Sequence, residues 1–370
     1  MNIRRALSAL VKSIEVSGDA YQVGHGLGEA AARTIHETVL NVERFKLLKR
    51  DWSASDRLKS LLAATRQAYP EFLREIEGIA RGAGADFDDI FLWNCRGDFP
   101  GGGDQSPAEA AGCTTVMIPA SGTQAAIIAH NEDDQAELDG HCFLASVRPS
   151  QGLGFLSFYS PGLLPGHTFA VNDAGLVQTI NHIRPHDQVV GVPRHIIARA
   201  VLASTDLDGA LAVLSRRDRA SGFHHSLGQA GSEGLLSVEA PASMCVVRHI
   251  ISAAVHSNHL VFPECADIGQ EVADSSASRQ RRAEALIFDG ALEGRDALVV
   301  LGDQAQADLP ICRKRRGGTD PGYTLATGVF EVARERVDWR VYADPRETPA
   351  FSGTIEALME LENGTARHNI

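Results

Sequence analysis

The chain has 370 residues, 44% of them hydrophobic and 22% charged, and a formal net charge of −12. That is apolar material for one large core or two ordinary ones, and the acidic balance argues against nucleic acid or an anionic membrane as a partner, since both reward a basic face. No window approaches the roughly 20 apolar residues of a membrane span, and six scattered cysteines without a CxxC pair fit reduced thiols better than disulfides or zinc ligands.

At the start, Arg4 and Arg5 precede a few apolar residues, but Lys12 and Glu15 interrupt before a secretory h-region forms, so a cytoplasmic protein is expected. Residues 20 to 92 read as helical: an alanine-rich stretch from Glu29 to Val42, a segment from Asp56 to Ala68, and one from Pro70 to Ala83 with Phe72, Ile76 and Ile79 at helical spacing. Gly82 and Gly84 fit the end of the last helix. A glycine-rich segment, Gly101 to Glu109, then reads as an exposed tether.

The pattern changes to strands after Cys113: Thr114–Ile118, Ala125–Ala129, Cys142–Val147, Gly154–Tyr159, Thr168–Val171 and Leu176–Ile180. Helices are expected at Pro193–Ala203, Leu207–Ser215 and Ser278–Phe288, and strands at Leu235–Glu239, Met244–Ile251, Ala253–Val255, Thr324–Val332 and Val337–Tyr342. With few β-α-β alternations, this order favours a layered α+β fold, two sheets between helical layers, over a doubly wound parallel sheet.

The chemistry centres on Gly112-Cys113-Thr114-Thr115. A cysteine directly after glycine, at the head of a strand and behind a polar tether, suits a nucleophile released at a new N-terminus by self-cleavage. Its own α-amino group, with an ordinary pKa of about 8, can then act as base. Gly112, lacking Cβ, tolerates the backbone in which the sulfur attacks the preceding carbonyl. The other five cysteines read as buried thiols.

Other clusters carry alternative readings. His130, Glu132, Asp133, Asp134, Asp139 and His141, with the HxxH pair His256 and His259, contain metal-ligand types. As a turn-like stretch the carboxylates also fit strand-end caps facing solvent, and no metal is expected. His224-His225 reads as exposed loop, and Arg313-Lys314-Arg315-Arg316 as a solvated loop that could hold a substrate carboxylate. Tyr159, Phe155 and Phe158 alternate as strand residues do, which leaves core and pocket wall both open.

Taken in order, Gly24-His25-Gly26, Leu92-Trp93-Asn94-Cys95-Arg96, Gly112-Cys113-Thr114-Thr115, His130-Asn131-Glu132-Asp133, Tyr159 to Gly166, Asn172 to Val177, Asn181, His256-Ser257-Asn258-His259, Ser278-Arg279 and Ile311-Cys312 resemble the acyl-CoA:6-aminopenicillanate acyltransferase family of N-terminal-nucleophile hydrolases. The resemblance implies a four-layer α-β-β-α sandwich over residues 1–370, made as a precursor and cut into a helical small chain 1–112 and a large chain 113–370 that stay associated. It also implies Cys113 as nucleophile, Asp133 as an acidic residue near it, and Asn258 as oxyanion donor, with Ser257 replacing the family's usual threonine. Thr114, Tyr159 and His256 are expected in the substrate site. A further arginine that one fungal member of the family uses, shortly before a Thr-Leu strand, finds no match in register before Thr324-Leu325.

The function so implied is cleavage of a small linear N-acyl or β-alanyl amide through a Cys113 thioester, without a cofactor. Acyl transfer to an amine is the near alternative; without an obvious nucleotide loop for coenzyme A, hydrolysis is preferred. A metal-dependent hydrolase on His130, Asp133 and His256, and an uncleaved amide-binding relative, are the rivals. A homo-oligomer is compatible with the sequence.

Overall fold

The computed structural model describes residues 2–5, 11–100, 112–232, 234–290, 296–314 and 322–356. The tether expected at Gly101 to Glu109 lies outside these residues. The chain forms a mixed α+β structure of two sheets and several helices.

The N-terminal helices follow from their caps and apolar stripes. α1 (Ala20–Thr34) opens on a capping box in which the Asp19 carboxylate accepts from the Gln22 N–H at 2.9 Å and the Gln22 side chain accepts from the Asp19 N–H. It continues as a π-helical turn, Ile35–Leu40, before α2 (Glu43–Trp52), α3 (Asp56–Ala68), α4 (Pro70–Ala83) and α5 (Phe87–Asn94). Proline at the start of α4 and Gly84 at its end, with φ of 67°, bound that helix as expected. Gly82 is instead inside α4. With Gly78 it meets Gly24 and Gly28 of α1, and a Cβ at any of these four positions would fall about 2 Å from a backbone oxygen of the other helix. The two helices therefore pack with backbones in contact.

The strands are β1 (Asn2–Arg5), β2 (Lys12–Gly18), β3 (Gly112–Ile118), β4 (Ala126–Gln135), β5 (Phe143–Pro149), β6 (Phe155–Tyr159), β7 (Phe169–Asn172), β8 (Leu176–Asn181), β9 (His224–Gln229), β10 (Leu235–Glu239), β11 (Val246–His249), β12 (Ala254–His256), β13 (Gly322–Val332), β14 (Arg336–Tyr342) and β15 (Phe351–Glu356). One sheet runs β1-β15-β14-β13-β4-β3-β12 and the other β11-β10-β9-β8-β7-β6-β5-β2. All neighbours pair antiparallel except β2 with β5. Four helices complete the described chain: α6 (Arg194–Leu202), α7 (Leu207–Leu214), α8 (Asp274–Phe288) and α9 (Ala297–Leu301).

Helices α1 and α6 contact the eight-stranded sheet, α8 and α9 contact the seven-stranded one, and the sheets meet through β3 with β8 and β4 with β9. The largest apolar core lies among the N-terminal helices, α6 and the eight-stranded sheet. A second lies between the sheets around Phe158, Phe169, Phe330 and Trp339. No described helix is long and apolar enough to cross a membrane. Cys95, Cys142, Cys265 and Cys312 are buried thiols as expected, whereas Cys245 is half-buried.

Two loop expectations are corrected. His224 and His225 begin β9 and are buried, because β8 and β10 pair on both sides of it. Arg313 is also buried, and Lys314 is half-buried with its ammonium 4.5 Å from the Tyr323 ring centre; Arg315 and Arg316 lie outside the described residues.

Burial holds His130, His167 and His225 neutral, with pKa values lowered to about 3, and lowers His182, His195, His224 and His259 as well. Below pH 6.5 the unfolded chain protonates these rings and the native chain does not, so stability is lost as pH falls toward the folded values, by up to about 1.4 kcal/mol per pH unit for each ring. Asp98, raised by burial to about 7, and Glu132, also raised by burial, work the opposite way, because the native chain keeps their protons where the unfolded chain has lost them. The histidines outnumber them. The urea midpoint is expected to fall as pH drops from 7 to 5, and a midpoint that rises over that window would contradict this assignment of protonation states.

Candidate functional site

The register of β3 against β4 builds the site. Gly112 pairs with Asp133, Cys113 with Glu132, Thr114 with Asn131 and Thr115 with His130. Because side chains alternate along a strand, Cys113, Thr115, His130 and Glu132 share the face toward the other sheet. Thr114, Asn131 and Asp133 share the face toward α8 and α9, where the Asn131 amide donates to the Leu301 carbonyl at 2.9 Å.

Cys113 is 5% exposed, and its sulfur donates to Glu132 Oε2 at 3.5 Å. Burial, then the Glu132 and Asp133 carboxyls, push the thiol well above its ordinary pKa, while Arg279 and a hydrogen bond from the His182 backbone N–H pull it down. Burial likewise keeps Glu132 protonated to well above the usual carboxylate range.

Behind Glu132 the polar groups form a chain: His130 Nε2 lies 3.2 Å from Glu132 Oε2, and His130 Nδ1 lies 2.8 Å from Thr115 Oγ1. The Thr115 hydroxyl donates to Asn181 Oδ1 at 2.8 Å, and His224 Nδ1 lies 3.0 Å from that oxygen. A protonated Glu132 and neutral rings satisfy every step: Glu132 donates to His130, His130 to Thr115, Thr115 to Asn181, and His224 to Asn181.

On the helix side, α8 supplies Arg279, 1% exposed. Its guanidinium donates to the Cys113 carbonyl at 2.5 Å, to Thr114 Oγ1 at 2.9 Å and to Asn258 Oδ1 at 2.8 Å. Asn258 Oδ1 also accepts the Cys113 N–H at 2.8 Å. Two donors thus fix which way the Asn258 amide points. Its Nδ2, buried, has no partner among the described residues.

The sulfur opens on a small cleft lined by Gly112, Cys113, Glu132, Asp133 and Asp134 on one side and by Arg96, His167, His182, Arg194, His195 and Phe223 on the other. The expected residues divide accordingly. Cys113 and Asp133 line the cleft, and Asn258 touches the Cys113 nitrogen. Asp133 is 2% exposed, with Arg313 Nη1 3.8 Å from its carboxylate, so it faces an arginine and not solvent. Thr114 is bound to Arg279 beneath the strand. Tyr159 is fully buried beside Phe143, with its hydroxyl accepting from the Gly162 N–H at 3.3 Å, away from the cleft. His256 is stacked on His224 at 3.4 Å and bound to Glu239 at 2.9 Å between the sheets, also away from the cleft lining. Gly112 has an ordinary extended backbone. Its lack of a side chain makes room for Arg279, whose Nη2 would lie 2.7 Å from a Cβ there.

The metal-type grouping of the described residues is Cys113, His130 and Glu132, with ligand atoms within 4.8 Å of one another. It differs from the rival set of His130, Asp133 and His256, since Asp133 points to the opposite face of β4 and His256 is committed to Glu239. The grouping accommodates a soft or borderline cation by donor type, although His130 already spends both ring nitrogens on Thr115 and Glu132.

Glu132 and Arg279 are the site residues that the sequence left without a role. Extending the β4 pattern through residue 132 would have set Glu132 opposite Cys113.

The profile of the acyl-coenzyme A:6-aminopenicillanic acid acyl-transferase family matches residues 120–346. The chain belongs to this family. It is 25% identical to the beta-alanyl-dopamine/carcinine hydrolase of Drosophila melanogaster over 368 aligned residues, covering 90% of this chain and 92% of that protein. It is 26% identical to the 40 kDa form of the acyl-coenzyme A:6-aminopenicillanic-acid-acyltransferase of Emericella nidulans, covering 93% and 96%. Both relatives are enzymes by name, and this chain is an enzyme with them. The profile begins downstream of Cys113, so the geometry around the thiol stands as separate evidence.

The packing at Gly112 gives a direct check. In Cys113→Ala, where no thiol can cut the chain, adding Gly112→Ala is expected to lower unfolding free energy by about 1–3 kcal/mol, because the new methyl must displace a buried guanidinium. Urea titration of the single and double variants measures it, and equal midpoints would contradict the close approach of Arg279.

Proposed function

We propose that the chain cuts itself between Gly112 and Cys113 and that the product is a cysteine amidohydrolase acting on small linear amides. The observation that carries this reading is the setting of Cys113: a thiol facing a cleft, with its backbone nitrogen held by an asparagine whose amide NH₂ has no other partner among the described residues.

In the uncut chain the Cys113 nitrogen is an amide and cannot act as base. The ionised form of Glu132, in hydrogen-bond contact with the sulfur, takes the thiol proton. The sulfur attacks the Gly112 carbonyl carbon, and the C–N bond breaks as Glu132 returns the proton to the Cys113 nitrogen. Water then hydrolyses the thioester, leaving a Gly112 carboxylate and a free thiol. In turnover the α-amino group takes over as base. The thiol attacks an acyl amide, the Asn258 NH₂ holds the oxyanion, the amine leaves, and water resolves the new thioester.

The fold that accompanies this reading is the four-layer α-β-β-α sandwich, with chains 1–112 and 113–370 remaining associated in one domain. The names of the two relatives support amides of β-alanyl or acyl type, and leave acyl transfer as the alternative fate of the thioester. No cofactor enters either half-reaction.

Intact mass under denaturing conditions tests the cut. Wild type is expected as fragments of about 12 and 28 kDa, from the chain lengths on either side of Gly112, and Cys113→Ala as one chain. Glu132→Gln should cut at least about tenfold more slowly, the usual scale for losing a general base. Because Glu132 ionises only above the ordinary carboxylate range, wild-type cutting should accelerate as pH rises. A single 39.6 kDa species in wild type would sink the mechanism. Cutting that stops on chelation would move the Cys113, His130 and Glu132 grouping to a metal role.

A further inference from the structure

Three donors of different chemistry converge where β3 pairs with β4. Cys113 Sγ lies 3.5 Å from Glu132 Oε2, and His130 Nε2 lies 3.2 Å from the same oxygen. In a tetrahedral zinc site, bonds of about 2.3 Å to sulfur and about 2.0–2.1 Å to nitrogen and oxygen set a sulfur–oxygen edge of about 3.5 Å and a nitrogen–oxygen edge of about 3.3 Å. Two edges of such a site are therefore already formed. The third, sulfur to nitrogen, has to close to about 3.6 Å from no more than 4.8 Å.

The contacts behind the donors aim them. His130 Nδ1 lies 2.8 Å from Thr115 Oγ1, and the Thr115 hydroxyl spends its hydrogen on Asn181 Oδ1. Nδ1 must then donate, which leaves the Nε2 lone pair facing Glu132. Metal-bound histidines are held in the same way, with the other ring N–H given to a fixed acceptor. Here that lone pair is met by the Glu132 carboxyl proton, a partner that a cation can displace.

Burial keeps both the Glu132 proton and the thiol proton in place. A dication that displaces the two leaves the buried charge unchanged, and the protons depart to solvent. The Asp134 and Asp133 carboxylates each act on Glu132 more strongly than Arg96 does, so the local field favours an added positive charge. Thiolate, imidazole and carboxylate together suit a soft or borderline metal, whereas Mg2+ and Ca2+ take oxygen. Cys113 and Glu132 line the cleft, which gives the cation its way in and a water for its fourth position.

From this geometry we infer that Cys113, His130 and Glu132 form a binding site for a zinc-type divalent cation, and that the bound cation switches the thiol off. The nucleophile becomes a metal thiolate, and Glu132, its base in the intact chain, becomes a ligand, so neither can act on the Gly112 carbonyl. The site itself is independent of the amidohydrolase reading; its effect on self-cutting rests on that reading. The cation is an inhibitor with no place in the catalytic cycle, and its removal releases cutting.

Two measurements on the full chain test it, with Co2+ and Zn2+ as probes. Co2+ added to wild type should give a thiolate-to-cobalt charge-transfer band that saturates at one equivalent, is displaced by Zn2+ and not by Mg2+, and is absent from Cys113→Ala. His130→Gln should weaken cobalt binding by about tenfold or more, the scale for disturbing a metal site. This variant is decisive because a free α-amino group beside the sulfur could hold cobalt without the ring. If His130→Gln does not fold, Glu132→Gln carries the same test, since a carboxamide keeps the shape and is a poor ligand. A band that persists in Cys113→Ala, or unchanged affinity in the folded ligand variant, overturns the site.

The second measurement follows the intact mass of wild type made by cell-free synthesis. In Zn2+ it should remain at 39.6 kDa, and EDTA added afterwards should release the two fragments. Cutting at equal rates in Zn2+ and in EDTA, or cutting that requires the metal, overturns the inhibitory role. A chain that stays whole even in EDTA while binding cobalt as described leaves the cation site standing, and it is then the self-cutting reading that fails.

Discussion

The antiparallel pairing of β3 with β4 is the constraint on which the site depends. With Cys113 opposite Glu132 and Gly112 opposite Asp133, the thiol and its carboxyl partner face the other sheet, and the next pair faces the helices. A slip of β3 by one residue would turn its side chains over, burying the thiol under α8 and away from Glu132. The register is held from both sides. Arg279 ties the Cys113 carbonyl, Thr114 and Asn258 together beneath the strand, and the Thr115 to His130 hydrogen bond crosses the pair above it. Loss of either tie affects geometry at the sulfur as well as stability.

Much of the scaffold was legible because its signals are local. The bounds of α3 and α4 follow from apolar spacing, the proline at position 70 and Gly84, and most strands follow from apolar runs between turn residues. What failed was polar sequence in buried strands. His130-Asn131-Glu132-Asp133 reads as a turn because Asn, Asp and Glu are poor strand formers. Here pairing with β3 and β13, and a partner for each side chain, override propensity. His224-His225 misled for the same reason. Arg313 reads as solvated because its partner, Asp133, is far away in sequence, and no local pattern encodes that contact. Arg279 stood within a motif, yet its role depends on α8 beginning at Asp274, a full turn before the expected start.

Between the sheets, where an apolar seam would be usual, the structure places Thr115, His130, Asn181, His224, Ser237, His256 and Glu239. His224 and His256 come from opposite sheets and stack with planes 3° apart. His224 is bound at both ring nitrogens, by Asn181 and by Ser237 at 2.7 Å, and the Asn181 amide donates to the His256 carbonyl at 3.0 Å. Unpaired polar groups in this position would be costly, but a satisfied network fixes one arrangement of the two sheets. Burial holds the His130 and His224 rings of that network neutral, so the packing of the sheets and the protonation state beside the thiol are one property.

That property bears on why a buried cysteine should serve as a nucleophile at all. Burial beside Glu132 and Asp133 keeps the intact chain's thiol protonated, which protects a reactive group while the chain folds. In the proposed cycle the change that activates it is covalent. Cutting the Gly112–Cys113 bond turns an amide N–H, 2.8 Å from Asn258 Oδ1, into an amine of ordinary pKa about 8, already anchored next to the sulfur. No side chain has to move for the base to arrive, because Arg279 has fixed Asn258 with its oxygen toward that nitrogen and its NH₂ left for the oxyanion. The same contact that positions the scissile strand in the precursor would then hold the base in the enzyme.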